Sequence, residues 1–192
     1  MPDRAKRIVV LASGNGTTLQ AVLEAEQQGT LGAHVVAVGT DIPGCYAIER
    51  ARSAGVATFS EALADHRTRA DWNDALGAAI AAHRPDLVVL AGFMRLLAPP
   101  LVQRFRIVNT HPALLPAFPG AHAVRDALAA GVHQTGVSVH WVDEGVDTGA
   151  VIAQRIVAIE PGDDEDCLRE RIQLVEKPLY VSTIRQLCQE TL

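Results

Sequence analysis

The sequence has few cysteines and few aromatic residues, and both shortages exclude classes of protein. The three cysteines, Cys45, Cys167 and Cys188, are odd in number and form no CxxC pair. This pattern argues against a disulfide framework and against a zinc site, so we interpret all three as small apolar residues. Aromatic residues make up 4% of the chain and hydrophobic residues 48%. This balance predicts an aliphatic core.

The chain also lacks an excess of positive charge and a long hydrophobic run. Lys and Arg total 17 against 22 Asp and Glu, a formal net charge of −5. This charge disfavours general binding to nucleic acid or to an anionic membrane. The longest apolar runs have the length of strands, and MPDRAKRIVVLASG contains too few apolar residues for a signal peptide. We therefore expect a cytoplasmic protein that binds neither nucleic acid nor a membrane.

Strand-like apolar segments alternate with segments of helical periodicity. RIVVLA at 7–12, AHVVAVG at 33–39 and DLVVLA at 86–91 have no polar face, as parallel strands covered on both sides require. Further strands are predicted near 56–59, 107–109, 136–141 and 151–157, and helices near 18–29, 46–54, 69–83, 99–105, 122–130 and 164–187, the last with a bend at Pro178. The alternation predicts an α/β fold with a doubly wound, mostly parallel sheet and helices on both faces, in a single domain over residues 1–192.

The turn SGNGTT joins the first strand to the first helix. Its glycines allow a ligand to approach the backbone, and the helix N-terminus offers N–H groups to an anion such as phosphate. The turn is similar to the dinucleotide fingerprint GxGxxG, and Asp41 after the second strand is a candidate to hold a ribose. Leu19 replaces the third glycine, however, which weakens that interpretation. The alternative without a ligand is a tight turn with a threonine cap.

The stretch NTHPALLPAFPG at 109–120 ends a predicted strand on an amide and an imidazole. Asn109 and His111 are two residues apart, so they share one face of the strand, and three prolines then prevent regular structure. Asp147 lies in a glycine-containing loop between two later strands and is a candidate to reach the His111 ring, where its charge favours the imidazolium. Such a group of side chains suits acyl transfer but lacks a nucleophile. His140 is a rival histidine that strand alternation gives no reason to prefer.

With these residues in view, the chain resembles the folate-dependent formyltransferase family, and within it the members that act on 5-phosphoribosylglycinamide. The resemblance rests on VVLASGNGTTLQA, ERARSAGVAT, PDLVVLAGFMRLL, NTHPALLPAFPG and SVHWVDEGVDTGAVI, in this order along nearly the whole chain. It implies formyl transfer from 10-formyltetrahydrofolate, as co-substrate, to the amine of the ribotide in purine biosynthesis. It also implies small-molecule substrates and no metal, and it leaves a homodimer open.

The resemblance assigns roles to individual residues. It makes Asn109, His111 and Asp147 catalytic, and the missing nucleophile is then the amine of the substrate. It places the ribotide and its phosphate on Gly14, Asn15, Gly16, Thr17, Thr18, Gln173 and Glu176. It places the folate on Arg69, Met94, Arg95, Leu96, Leu97, Asn109, Asp143, Glu144, Gly145, Val146 and Asp147.

The chain departs from the family pattern at three places. Thr17-Thr18 stand where Ser-Asn is common, Thr40-Asp41-Ile42 replace a Ser-Asn-Lys turn, and Lys177 replaces a histidine. The nearest rival function is a formyltetrahydrofolate deformylase, which gives the formyl group to water. The other rivals are a dinucleotide-binding redox protein and a non-catalytic binder of folate or nucleotide.

Overall fold

The computed structural model describes residues 5–190. Residues 1–4 and 191–192, which belong to the predicted 1–192 domain, lie outside the described residues. Within the described range one sheet has seven strands, in the order β3-β2-β1-β4-β5-β6-β7. They are β1 (Lys6–Leu11), β2 (Ala33–Thr40), β3 (Thr58–Ser60), β4 (Leu87–Leu90), β5 (Ile107–His111), β6 (Gln134–Trp141) and β7 (Val151–Ala158).

The first five strands are parallel, and the β5–β6 and β6–β7 pairs are antiparallel. The predicted doubly wound, mostly parallel α/β fold is therefore confirmed. The helices are α1 (Thr17–Gln27), α2 (Tyr46–Ser53), α3 (Arg69–Ala82), α4 (Pro99–Arg104), α5 (Ala123–Ala129) and α6 (Glu165–Gln189), with a turn of 3-10 helix at Leu63–Asp65.

The main differences from the predicted bounds lie in the strands. β5 runs two residues past the apolar stretch 107–109, to His111, as the shared face of Asn109 and His111 requires, because antiparallel pairing with β6 continues through Thr110 and His111. Strand β3 begins at Thr58, two residues later than predicted. Helix α6 runs past Pro178 as one helix, and the side chain of Asp164 caps its start by accepting from the Cys167 N–H at 2.8 Å.

The two faces of the sheet carry separate hydrophobic cores because successive side chains on a strand point to opposite faces. In β1, Ile8 and Val10 pack in the core that includes residues of α1, α2 and α6. Val9 and Leu11 pack on the other face, against residues of α3 and α4. Among the cysteines, Cys188 is buried, Cys45 is half-buried and Cys167 is exposed.

Tyr180 on α6 ties that helix to strands β4 and β5. Its hydroxyl lies 2.9 Å from the carbonyl oxygens of both Leu90 and Val108, so its single proton is shared between two acceptors. The ring is fully buried. Burial, together with the nearby Glu176 charge, raises the pKa of Tyr180 well above its usual value, so the hydroxyl stays a donor at neutral pH.

Among the helices of residues 5–190, none combines the length and the apolar character needed to cross a membrane.

We expect Tyr180→Phe to lower the free energy of unfolding by about 1 to 3 kcal/mol, because it removes a buried hydroxyl that donates to these buried carbonyl groups. Chemical denaturation followed by circular dichroism measures this. Tyr46→Phe is the matched control, since Tyr46 is 52% exposed on α2, and it should change stability by less than about 0.5 kcal/mol. Equal stability of the two variants would show that the Tyr180 hydroxyl contributes nothing.

Candidate active site

A cavity of about 310 Å³ opens where β4 and β5 reach the carboxyl edge of the sheet. This is the edge where ligands bind in open α/β sheets. The wall consists of Leu90, His140, Arg169 and four segments, at 92–97, 109–112, 120–121 and 142–147. Met94 and Leu96 are 76% and 60% exposed. Apolar side chains left open in a cavity wall favour a ligand with an apolar surface.

Strands β5 and β6 bring three polar side chains to the bottom of this cavity. Asn109 and His111 share a face of β5, and both line the cavity. The antiparallel register places His140 of β6 opposite Asn109. The His140 Nε2 atom lies 3.4 Å from Asn109 Nδ2. His111 and His140 are buried, 4% and 2% exposed.

The Asp147 carboxylate lies between the two histidines. Its Oδ2 is 3.3 Å from His111 Nδ1, and its Oδ1 is 3.5 Å from His140 Nε2. Oδ2 also accepts the Gly120 N–H at 2.8 Å. The sequence alone left open whether Asp147 reaches His111, and in the structure it does.

The loop that carries Asp147 has its own internal bonds. Asp143 Oδ1 accepts from the Gly145 N–H at 3.0 Å and from the Thr148 hydroxyl at 2.6 Å. Asp147 itself has φ 55°, a left-handed conformation that is uncommon outside glycine. The loop thus turns the Asp147 side chain back toward β5 and β6.

The environment of Asp147 favours its ionised form. The contact with the His140 ring lowers the pKa of Asp147 most, the Gly120 N–H and the charges of the two histidines lower it further, and burial opposes them. The net shift is downward, so the carboxylate is ionised at neutral pH.

Both ring nitrogens of His111 face acceptors. Nε2 lies 2.8 Å from the Phe118 carbonyl oxygen, and Nδ1 faces the Asp147 carboxylate. A neutral imidazole carries one N–H, whereas the imidazolium carries two. The protein thus offers an acceptor at each ring nitrogen, and the longer of the two contacts is the one at Nδ1.

The proline-rich loop after β5 is held by side chains of β6 and β7. The Ser138 hydroxyl donates to the Ala113 carbonyl at 2.6 Å and accepts the Leu115 N–H at 2.9 Å. Gln154 donates to the Leu115 carbonyl at 2.9 Å. These bonds fix the path of the loop that presents the Phe118 carbonyl to His111.

The residues predicted for the ribotide lie outside the lining of this cavity, around the start of α1. Gly16 precedes the helix in a left-handed conformation, with φ 70°, and no side chain caps the helix, so the threonine cap is wrong. The Thr18 hydroxyl instead donates to Glu176 on α6, at 3.0 Å. Gln173 is half-buried on α6, one turn before Glu176. Leu19, at the third fingerprint position, is fully buried in the core.

The loop before α1 is held by α2. The Ala47 N–H donates to the Gly14 carbonyl at 3.0 Å. Arg50 donates to the Asn15 carbonyl at 2.8 Å. A side chain at Gly16 would meet the Ala47 side chain at 2.8 Å, so the close packing requires glycine there. Thr17 is half-buried as the first residue of α1.

The predicted folate residues line the cavity, with one exception. Met94, Arg95, Leu96, Leu97, Asn109 and the segment 143–147 are all in its wall. Arg69 is exposed outside it and contacts it by donating to the Leu96 carbonyl at 2.7 Å.

Asp41 does not face a ribose site, contrary to the dinucleotide interpretation. Its carboxylate is buried and bonded to Ser13 and Arg95.

His140 is the site residue that the sequence interpretation undervalued. Its position opposite Asn109 depends on the β5–β6 register, which a single sequence does not reveal.

Among residues 5–190 we find no group of three or more His, Cys, Asp or Glu side chains that could hold a metal ion.

Comparison with known proteins agrees with this architecture. The formyl transferase family model matches residues 6–184. A phosphoribosylglycinamide formyltransferase of Mycobacterium tuberculosis (strain ATCC 25618 / H37Rv) is 53% identical over 188 residues, covering 97% of this chain and 86% of the relative. One from Escherichia coli (strain K12) is 41% identical over 175 residues, covering 90% of this chain and 82% of the relative.

The same agreement holds in three dimensions. The crystal structure of glycinamide ribonucleotide transformylase 1 from Symbiobacterium toebii superposes with a TM-score of 0.94 at 42% identity, over 96% of this chain and 88% of that one. The chain therefore belongs to the formyl transferase family.

Proposed function

We propose that this chain transfers the formyl group of 10-formyltetrahydrofolate to the amine of 5-phosphoribosylglycinamide, a step of purine biosynthesis. The observation that carries the proposal is the Asp147 carboxylate between two histidines, beside Asn109 in the cavity. The names of the relatives that match most of the chain support the same reaction.

In this reaction the amine of the ribotide attacks the formyl carbon. A carbon–nitrogen bond forms to the amine, and the carbon–nitrogen bond to the folate breaks from a tetrahedral intermediate. The Asn109 amide and the His111 Nδ1–H donate to the oxyanion of that intermediate. One proton passes from the attacking nitrogen to the folate nitrogen that leaves. His111 moves this proton, and Asp147 holds the ring and balances its charge.

The two substrates occupy the regions that the resemblance assigned to them. The folate lies along 94–97 and 143–147, where exposed apolar side chains suit its ring system and backbone groups can pair with its polar edge. Arg69 is available to its glutamate tail. The phosphate of the ribotide lies at the start of α1, where the helix N-terminus favours an anion. Gln173 and Glu176 then face the rest of the ribotide.

Three further expectations belong to this proposal. The catalytic domain extends over residues 1–192 as a single unit, the protein works in the cytoplasm with small-molecule substrates, and it needs no metal ion. A homodimer is compatible with the proposal and is not required by the chemistry.

The reaction is tested by following tetrahydrofolate release from 10-formyltetrahydrofolate with and without 5-phosphoribosylglycinamide. We expect release that depends on the ribotide, with one formylated product for each tetrahydrofolate. Release at the same rate without the ribotide would instead identify a hydrolase.

His111→Ala and Asp147→Asn should each lower kcat by about 100-fold or more, because each removes a group that positions or moves the proton. Steady-state kinetics at saturating substrates measures this, and circular dichroism checks the fold. His133→Ala is the control, since His133 is exposed at the far end of β6, just before Gln134. Wild-type turnover in either site variant would remove that residue from the mechanism.

The pH dependence of ribotide binding tests the Thr18–Glu176 contact. Burial raises the pKa of Glu176, while the Thr18 hydroxyl and the charge of Lys177 lower it. Thr18→Val removes a donor to the ionised carboxylate, so the pKa of Glu176 rises further. In the proposed function the ionised Glu176 carboxylate binds the ribotide, so its protonation weakens binding. As the pH falls from 8 to 5, the KM for the ribotide should therefore begin to increase at a higher pH in the variant. The KM for the formyl donor is the internal control, and identical ribotide profiles would contradict the assignment.

A further inference from the structure

Asp41, at the end of β2, is a buried carboxylate that the proposed reaction does not use. The residue is 4% exposed. Its Oδ1 accepts the Ser13 hydroxyl at 2.5 Å, and its Oδ2 accepts the Arg95 Nε–H at 2.6 Å. The Ser13 hydroxyl oxygen in turn accepts the Met94 N–H at 2.8 Å. Ser13 and Asp41 thus hold two consecutive residues of the segment 92–97.

This group of bonds joins three loops at the carboxyl edge of the sheet. Ser13 follows β1, Asp41 follows β2, and the segment 92–97 follows β4. A further backbone bond runs from the Ser13 N–H to the Gly92 carbonyl, at 3.1 Å. A buried carboxylate is stable only when it is paired and hydrogen-bonded. The folded chain therefore satisfies Asp41 by keeping Ser13 and Arg95 in place.

The segment that Asp41 holds is part of the cavity wall. In the proposed function the formyl donor lies against this part of the wall. Met94 and Leu96 point largely into open space, 76% and 60% exposed, so packing of their side chains does little to fix the backbone there. Phe93 and Leu97 are buried in the core on either side of this stretch. Between them polar anchors hold the backbone: Ser13 at Met94, Asp41 at Arg95, and Arg69 at the Leu96 carbonyl. Of these, Asp41 contacts both Ser13 and Arg95.

We propose that Asp41 is a positioning residue for the formyl donor, acting through Ser13 and Arg95 to hold the segment 92–97 in its binding conformation. The inference rests on the proposed function for the identity of the ligand. The groups around Asp147 are on β5, β6, the loop after β5 and the loop before β7, so catalysis itself does not depend on this anchor.

The test is Asp41→Asn, which keeps the shape of the side chain and an oxygen that can accept from Ser13. Its single amide oxygen cannot accept from both Ser13 and Arg95, and the ion pair with Arg95 is lost in either orientation of the amide. We expect the KM for 10-formyltetrahydrofolate to rise about tenfold, the loss typical of one charged hydrogen bond. The KM for the ribotide and kcat should stay within about twofold of wild type. Loss of stability alone would lower the active fraction and hence kcat, and would leave this KM unchanged.

Two further variants make the result specific. Asp126→Asn is the matched control, because it removes the same charge from a surface pair with Arg125 on α5, and it should leave both KM values unchanged. Ser13→Ala keeps the Asp41–Arg95 pair but removes the acceptor of the Met94 N–H. Ser13→Ala should also raise the KM for 10-formyltetrahydrofolate. It provides the test if Asp41→Asn does not fold.

Calorimetric titration with 10-formyltetrahydrofolate separates this inference from the proposed function, since it measures the dissociation constant without turnover. A wild-type protein that binds the donor and an Asp41→Asn protein that binds it at least threefold more weakly support the positioning role, whatever the turnover. Binding within threefold of wild type, or an equal weakening of donor and ribotide binding, overturns it. Wild-type binding without ribotide-dependent release would overturn the proposed function alone, and no binding by the wild type would overturn both.

Discussion

Strands β1 and β4 lie in the middle of the sheet with every side chain from Ile8 to Leu11 and from Leu87 to Leu90 buried. A strand without a solvent face must be covered by helices on both sides, and parallel neighbours must be joined by long crossovers. This constraint brings the carboxyl ends of the five parallel strands to one edge. The turn before α1, Asp41, the segment 92–97 and His111 all emerge there. The position of the site is thus a consequence of how the core is buried.

The chemistry of the site depends on one negative charge held by several donors. Asp147 contacts the Gly120 N–H and two histidine rings, and these contacts keep its pKa low although the side chain is largely buried. The Phe118 carbonyl is on the opposite side of His111. Two loops, from different parts of the chain, therefore place an acceptor at each nitrogen of the His111 ring.

Much of the fold and half of the site follow from local patterns. Buried β-branched runs, helical spacing and the strand-ending NTH predicted the sheet and placed Asn109 and His111 on one face. The pattern did not reveal why the following loop is rigid. Its prolines limit the backbone, but Ser138 and Gln154, more than twenty residues later, hold it in place. Nor did the pattern indicate that Asp41 serves Ser13 and Arg95 rather than a ribose.

The sequence by itself determined the element order, the two-sided burial of the central strands and which polar residues end those strands, because each depends on periodicity over a few neighbouring residues. Only the tertiary structure decided the register of β5 against β6, which places His140 opposite Asn109, and the turn that returns Asp147 to both histidines. It also decided the contact between Thr18 and Glu176, 158 positions apart. The physical reason is that these contacts join segments far apart in the chain, and their geometry is set by the packing of the whole sheet.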